Sequence, residues 1–128
     1  GGPLLRLAPK RGVYEPARHR DFSAWFAAPQ SIKGSKRALL STSRHFLIDN
    51  HVPHFEQVNR MDIPKLMVWG RHDRVLSLAY GQQLHALVPT ARWEVYEQSG
   101  HLPHFEEPEK FNAMVENFLR PIAFRHPD

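Results

Sequence analysis

The amino-acid sequence predicts an α/β fold in which a βαβα unit of a parallel sheet follows a helical segment. Two short runs, residues 63–69 and 92–96, have the length and composition of strands. Each run is followed by a loop and then by apolar residues at helical spacing. Strands that alternate with helices form parallel sheets with right-handed crossovers. Because two strands make no stable sheet alone, we expect this unit to be the end of a larger sheet that continues outside the chain.

The composition is that of a globular protein and excludes several classes. Of the 128 residues, 41% are hydrophobic and 23% are charged, which argues against a disordered chain. No apolar run approaches the roughly 18 residues that span a bilayer, and the lack of cysteine excludes disulfide scaffolds and thiolate chemistry. The net charge of +4 comes from scattered basic residues, so we expect a solvated surface and no nucleic-acid site. Since Gly1-Gly2-Pro3 begins no signal-peptide pattern, we expect a cytoplasmic protein.

Residues 1–60 form the first predicted unit, a helical segment that resembles a cap or lid. Phe22, Trp25 and Phe26 lie at helical spacing, which favours either plain packing or an apolar lid over a substrate. A second helix is predicted over residues 36–49, and Pro53 should prevent its continuation. Its apolar stripe consists of Leu39, Leu40, Ser43, Phe46 and Leu47.

Residues 61–128 form the second predicted unit, the βαβα core. The run over residues 63–69 predicts a buried strand, which tolerates Pro64 only at its beginning. Ser77 is a typical N-cap residue for the helix that follows, and Pro89 closes that helix.

The second half of the core repeats this order. Residues 92–96 alternate between polar and apolar and predict a second strand. Pro108 opens a final helix with the strongest apolar periodicity in the chain, and we expect Pro121 to stop it. Trp69 and Trp93, one on each strand, are interpreted as core residues.

Two polar side chains follow the two predicted strands. Asp73 lies four residues after Trp69, and His101 lies five residues after Tyr96. Ligands and catalytic groups of open α/β sheets lie at the carboxyl ends of the strands, so we expect the two loops to meet. An aspartate that accepts a hydrogen bond from a histidine fixes its tautomer and stabilises the imidazolium. Asp73 and His101 are therefore the candidate catalytic residues, the acid and the base of a triad.

These two regions resemble α/β-hydrolase fold enzymes. The acid-bearing strand and loop of that family have the pattern seen here as Ile63-Pro64-x-Leu66-x-Val68-Trp69-Gly70-Arg71-His72-Asp73-Arg74-Val75. The histidine loop and final helix resemble Ser99-Gly100-His101-x-Pro103-x-x-Glu106-x-Pro108-Glu109-x-Phe111. The resemblance covers residues 61–120, and the chain order of acid before histidine is also that of the family, in which the nucleophile comes first. Arg71, His72 and Arg74 are interpreted as surface residues that flank the acid.

The nucleophile of that family stands on a Gly-x-Ser-x-Gly elbow, and this sequence has no such motif. Ser35 follows no strand, Ser41 and Ser43 lie in a predicted helix, and Ser99 belongs to the histidine loop. The resemblance therefore implies the C-terminal half of a hydrolase of esters or related bonds, inactive alone. The other half would come from the same polypeptide or another chain. No metal or organic cofactor is implied, and relatives with an aspartate nucleophile leave the identity of the nucleophile open.

Two other classes of function remain as alternatives. His51 and His54 are spaced like His101 and His104, each pair is followed by a glutamate, and imidazole with carboxylate suits zinc or nickel. A proline splits each pair, which disfavours a shared metal. Alternatively, a half-sheet with an open apolar edge could act as a non-catalytic module that associates with itself. His104 is otherwise interpreted as a surface residue near the site.

Overall fold

A computed structural model describes residues 12–45 and 51–123 of the chain. Before the first strand, the described ranges include the helices α1 (Phe22–Ala27), which continues into a 3₁₀ turn (Ala28–Ser31), α2 (Ser35–His45) and α3 (Val52–Arg60). There follow the strand β1 (Leu66–Gly70), the helix α4 (Leu78–Leu87), the strand β2 (Arg92–Tyr96) and the helices α5 (Pro103–Glu106) and α6 (Pro108–Ala123).

The two strands pair in parallel and confirm the α/β class. Their register joins Leu66 to Arg92 at one end and Gly70 to Tyr96 at the other. The helix α4 connects them, as the alternation of strand and helix signals predicts. The expected full burial of β1 is wrong for the described residues, because the first four positions of the strand are only half-buried. The sheet in this part of the chain has two strands, so one edge of each strand lacks a neighbour there.

The helix α4 lies close to β1 because of a cap and a glycine. The Ser77 hydroxyl oxygen accepts a hydrogen bond from the Tyr80 amide at 3.2 Å, as expected of an N-cap residue. A Cβ atom at Gly81 would lie 2.5 Å from the indole of Trp69, so the absence of a side chain permits this approach. The indole N–H of Trp69 donates to the Leu76 carbonyl at 3.0 Å. Trp69 and Trp93 are half-buried and pack together, with ring centroids 6.0 Å apart.

Two prolines behave differently from the sequence prediction. Pro53 does not merely end a helix but stands in the first turn of α3, where the missing N–H of proline is not needed. Pro121 does not stop α6, which continues to Ala123. A proline removes one helical hydrogen bond. Because Pro121 stands in the last turn, the hydrogen bonds of the preceding turns are not affected. Of the helix predicted over residues 36–49, the structure describes the part up to His45, so Phe46 and Leu47 lie outside the described residues.

The N-terminal segment packs on the core through aromatic rings. Phe22 is 2% exposed, and its ring centroid lies 5.4 Å from that of Phe105. Trp25 is 64% exposed but stacks against the same Phe105 ring at 6.2 Å. Phe22 is therefore a core residue, and Trp25 covers one side of Phe105. No helix within the described ranges is long and apolar enough to cross a membrane.

Candidate active site

The loops that follow β1 and β2 are tied to each other by their backbones. The Arg71 amide donates to the Tyr96 carbonyl at 2.9 Å, and the His72 amide donates to the Ser99 carbonyl at 3.0 Å. These bonds continue the pairing of the strands past their carboxyl ends. The two loops therefore meet at the edge of the sheet where the sequence predicts the site.

Gly70, at the end of β1, permits the close approach of the two loops. A Cβ atom built on this residue would lie 1.8 Å from the Gly100 carbonyl oxygen and 2.6 Å from that of Ser99. Both neighbours are backbone atoms, which cannot rotate away as a flexible side chain does. The position thus requires glycine for space.

Both carboxylate oxygens of Asp73 have hydrogen-bond partners. Its Oδ1 atom accepts from the amides of Val75 and Leu76, each at 2.8 Å, and its Oδ2 atom lies 2.8 Å from Nδ1 of His101. The side chain is 5% exposed. An aspartate commonly folds back on the backbone two or three residues ahead, and here this fixes the orientation of the second oxygen toward His101.

His101 contacts Asp73 through one ring nitrogen and is partly exposed. Because an ionised carboxylate only accepts hydrogen bonds, the proton of the neutral imidazole lies on Nδ1. The opposite nitrogen, Nε2, makes no hydrogen bond with the described residues, and 36% of the side chain is exposed. An imidazole held in this tautomer can take a proton at Nε2 while Asp73 stabilises the cation that forms. The geometry suits a general base with its orienting acid.

A small cavity adjoins this pair. It has a volume of about 150 Å³ and is lined by Val68, Trp69, Gly70, Asp73, Leu76, His101 and Pro103. Apart from the two polar side chains, its walls are mainly apolar. A cavity of this composition suits an uncharged group next to the base.

Two glutamates hold the histidine loop, a role that the sequence alone did not predict for either of them. The Ser99 hydroxyl, which is fully buried, donates to Glu107 at 2.5 Å. Glu106 accepts hydrogen bonds from the amides of Gly100, Leu102 and Tyr14. The sequence offered one signal for Glu106. It lies in the first turn of the short helix α5, and a glutamate there can reach back to the backbone amides just before the helix.

The hydroxyls of two of the serines considered as nucleophiles are bonded to groups other than the base. The hydroxyl of Ser35 donates to the Pro29 carbonyl at 2.8 Å, and Ser99 is occupied by Glu107. Ser41 is exposed on α2. Within the described part of the chain, no serine hydroxyl is hydrogen-bonded to His101.

The residues that flank Asp73 are arranged as surface groups with one exception. Arg71 and Arg74 are exposed, and Arg71 forms a two-bonded ion pair with Glu97. The hydrogen bond from Arg71, together with its positive charge, lowers the pKa of Glu97. His72 differs, because it is half-buried and stacks on the ring of Tyr14, with centroids 3.7 Å apart.

The structure does not support the alternative of a metal site in residues 12–45 and 51–123. In these ranges no group of three or more histidine, cysteine, aspartate or glutamate side chains could hold a metal ion. The rings of His51 and His54 lie 5.9 Å apart at the start of α3. His104 is exposed and meets the ring of Phe111 edge-on at 5.8 Å.

The fold and this pair define an α/β protein with an acid and a histidine at the carboxyl edge of a parallel sheet. The sequence profile of the α/β hydrolase fold family matches residues 15–108, and the chain belongs to this family.

The chain is similar to several hydrolases. It is 34% identical over 65 residues to the uncharacterized hydrolase YugF of Bacillus subtilis (strain 168), a match that covers 51% of this chain and 24% of that protein. It is 34% identical over 89 residues to 2-hydroxy-6-oxononadienedioate/2-hydroxy-6-oxononatrienedioate hydrolase 2 of Pseudomonas putida, covering 61% of this chain and 31% of the relative. A hydrolase of Paraburkholderia phymatum named for the same two compounds is 36% identical over 63 residues, or 49% of this chain and 22% of the relative. The chain thus spans less than a third of the length of these relatives.

Proposed function

We propose that this chain supplies the acid and the base of a Ser-His-Asp hydrolase that cleaves esters or related bonds. The observation that carries the proposal is the 2.8 Å contact between Asp73 Oδ2 and His101 Nδ1. The aspartate is nearly buried, the histidine is partly exposed, and both line one cavity. Membership of the α/β hydrolase fold family supports the same activity.

In the proposed reaction His101 moves protons while Asp73 holds it. His101 Nε2 takes the proton of a serine hydroxyl as the serine oxygen attacks the carbonyl carbon of the substrate. The resulting imidazolium is stabilised by Asp73 and gives its proton to the leaving alcohol, which leaves an acyl-enzyme. Water then attacks the acyl group, again with His101 as base, and releases the acid and the free serine.

The serine in this scheme comes from sequence outside the chain. The 128 residues contain no Gly-x-Ser-x-Gly elbow, and the donors that stabilise the oxyanion in this family belong to the same region as the elbow. The chain is accordingly proposed to be the C-terminal part of an enzyme whose other part is in the same polypeptide or a second one. Alone it should not hydrolyse an activated ester above the rate of a blank.

The first experiment is to read the coding sequence upstream of Gly1 and to assay the longer protein that it encodes. We expect an upstream Gly-x-Ser-x-Gly elbow and hydrolysis of p-nitrophenyl acetate. The substrate panel should include 2-hydroxy-6-oxononadienedioate, because three relatives are named for it. An upstream reading frame with a Gly-x-Asp-x-Gly elbow would contradict the serine mechanism.

Substitution of the base is the sharpest test of the proposed roles in that longer protein. His101→Ala should lower kcat/KM by at least about 10⁴-fold, since it removes the group that transfers the protons. Asp73→Asn should lower it by about 10⁴-fold, because an amide favours the wrong tautomer of the imidazole. His104→Ala is the matched control, as that ring is exposed three residues further on. Near-parental activity of His101→Ala in a folded protein would overturn the assignment.

A further inference from the structure

We propose that Glu106 is a positioning residue for His101, which it holds in register with Asp73 without contacting the imidazole itself. This inference rests on the proposed function, since it assigns a further residue to the same site. It begins from the contacts of one half-buried carboxylate. Its Oε1 atom accepts hydrogen bonds from Gly100 at 2.8 Å and from Leu102 at 3.2 Å, the residues directly before and after the histidine.

The second oxygen of Glu106 connects the histidine loop to a distant part of the chain. It accepts a hydrogen bond from the Tyr14 amide at 2.6 Å. The amide of His101 donates to the carbonyl of Gly12, two residues before Tyr14, at 3.0 Å. Three consecutive amides, those of residues 100–102, are therefore fixed by one carboxylate and one carbonyl group.

These hydrogen bonds fix the position of the His101 backbone, from which the imidazole extends. A side chain can point only where its backbone places it, and the backbone of His101 is held on both sides and at its own amide. Gly100 also packs so closely on the 12–14 segment that a Cβ atom there would lie 2.9 Å from the Tyr14 nitrogen. The loop has little room to shift, and Nδ1 is presented to Asp73 at 2.8 Å.

The position requires a carboxylate in particular. An ionised glutamate accepts hydrogen bonds at both oxygens and donates none, which matches three amide donors. A glutamine of the same shape has one accepting oxygen and an NH₂ group that would face an amide N–H. A shorter aspartate keeps the charge but cannot reach all three amides. Within the described residues, Glu106 makes no hydrogen bond with Asp73 or with the His101 ring, so its effect on the base is indirect.

The experiment is nitrogen-15 NMR of the histidine rings in the full 128-residue chain. In the parent protein we expect neutral His101 to be predominantly the Nδ1–H tautomer, with a low-field Nδ1–H signal that is protected from exchange by Asp73. In Glu106→Gln we expect that signal to be lost and the tautomer ratio to move toward that of free histidine. Glu109→Gln is the control, because Glu109 is an exposed acid in the first turn of α6, and it should keep the parental spectrum.

The readouts separate this inference from the proposed function. A merely structural role for Glu106 would lower the melting temperature and leave the tautomer unchanged, and a parental ring spectrum in Glu106→Gln would overturn the positioning role alone. If Asp73→Asn also keeps the parental ring spectrum, the acid–base pair fails, and the proposed function fails with it. If the circular dichroism of Glu106→Gln differs from that of the parent, Glu106→Asp is measured in its place. Loss of the protected Nδ1–H signal of His101 in Glu106→Asp supports the proposal, and persistence of that signal overturns it.

Discussion

The close contact between Gly70 and the histidine loop leads to a prediction that unfolding of the 128-residue chain can test, without an assay of activity. In Gly70→Ala the new methyl group would lie 1.8 Å from the Gly100 carbonyl oxygen, about 1.6 Å short of an ordinary contact distance of 3.4 Å. The clashing atoms are backbone atoms of Ser99 and Gly100 in the histidine loop, so this loop must move away from the end of β1. The substitution should therefore affect stability and site geometry together.

The size of the effect follows from what a separation of the loops would break. Overpacking of a well-filled site costs about 1–3 kcal/mol. The hydrogen bonds from Arg71 to Tyr96 and from His72 to Ser99 cross this contact, and each contributes about 1 kcal/mol. The sum is about 3–5 kcal/mol, a large part of the 5–15 kcal/mol that stabilises a typical domain. With an m-value of about 2 kcal/mol/M, the urea midpoint should fall by about 2 M.

The assay is urea unfolding followed by tryptophan fluorescence, with Gly34→Ala as the control. Gly34 has a φ of +97° and no atom within 4 Å of an added Cβ, so its substitution introduces backbone strain of roughly 1–2 kcal/mol without a clash. Gly70→Ala should be clearly the more destabilising of the two, and it should also remove the exchange-protected Nδ1–H signal of His101. If its midpoint shift is no larger than that of Gly34→Ala, the steric argument is refuted.

Two further predictions concern the surroundings of the site. Ser77→Ala removes the hydroxyl oxygen that accepts from Tyr80 and should cost about 1 kcal/mol in urea unfolding; a midpoint equal to that of the parent would mean that this cap contributes nothing. Because Arg71 lowers the pKa of Glu97 from its usual 4.5, the pair should stabilise the fold above that pH and lose its effect as the pH falls through the lowered pKa. The melting temperature of Glu97→Gln should accordingly lie below that of the parent at pH 7 and approach it at pH 3, and a gap that is constant with pH would contradict this assignment.

Local signals predict the elements of the core well and the N-terminal segment poorly. Residues 92–96 form β2 with the expected bounds, and Ser77 and Pro108 mark the starts of α4 and α6 as expected. These predictions depend on neighbours within one or two turns, for which capping and periodicity are sufficient. The helix α3 was not predicted as a separate element, because the expectation that Pro53 would end a helix took no account of the first turn, where proline is favoured.

Some residues of the candidate site were predictable from the sequence, and others were not. Asp73 and His101 were identified from their positions after the strands, and the structure places them 2.8 Å apart. The roles of Glu106 and Gly70 were not identified, since each depends on what the other loop or the 12–14 segment places against it. The catalytic roles of Asp73 and His101 stay predictions.

The sequence by itself determined the α/β class, the two strands with their connecting helix, and the loops that carry an acid and a histidine. These properties come from periodicity, caps and chain order, which act over a few residues. The tertiary structure alone decided that the carboxylate of residue 73 faces an imidazole 28 positions away, and that Glu106 binds an amide 92 positions before it. Such contacts are set by how the loops meet at the end of a sheet, where a missing Cβ atom or one carboxylate fixes distances that no local pattern records.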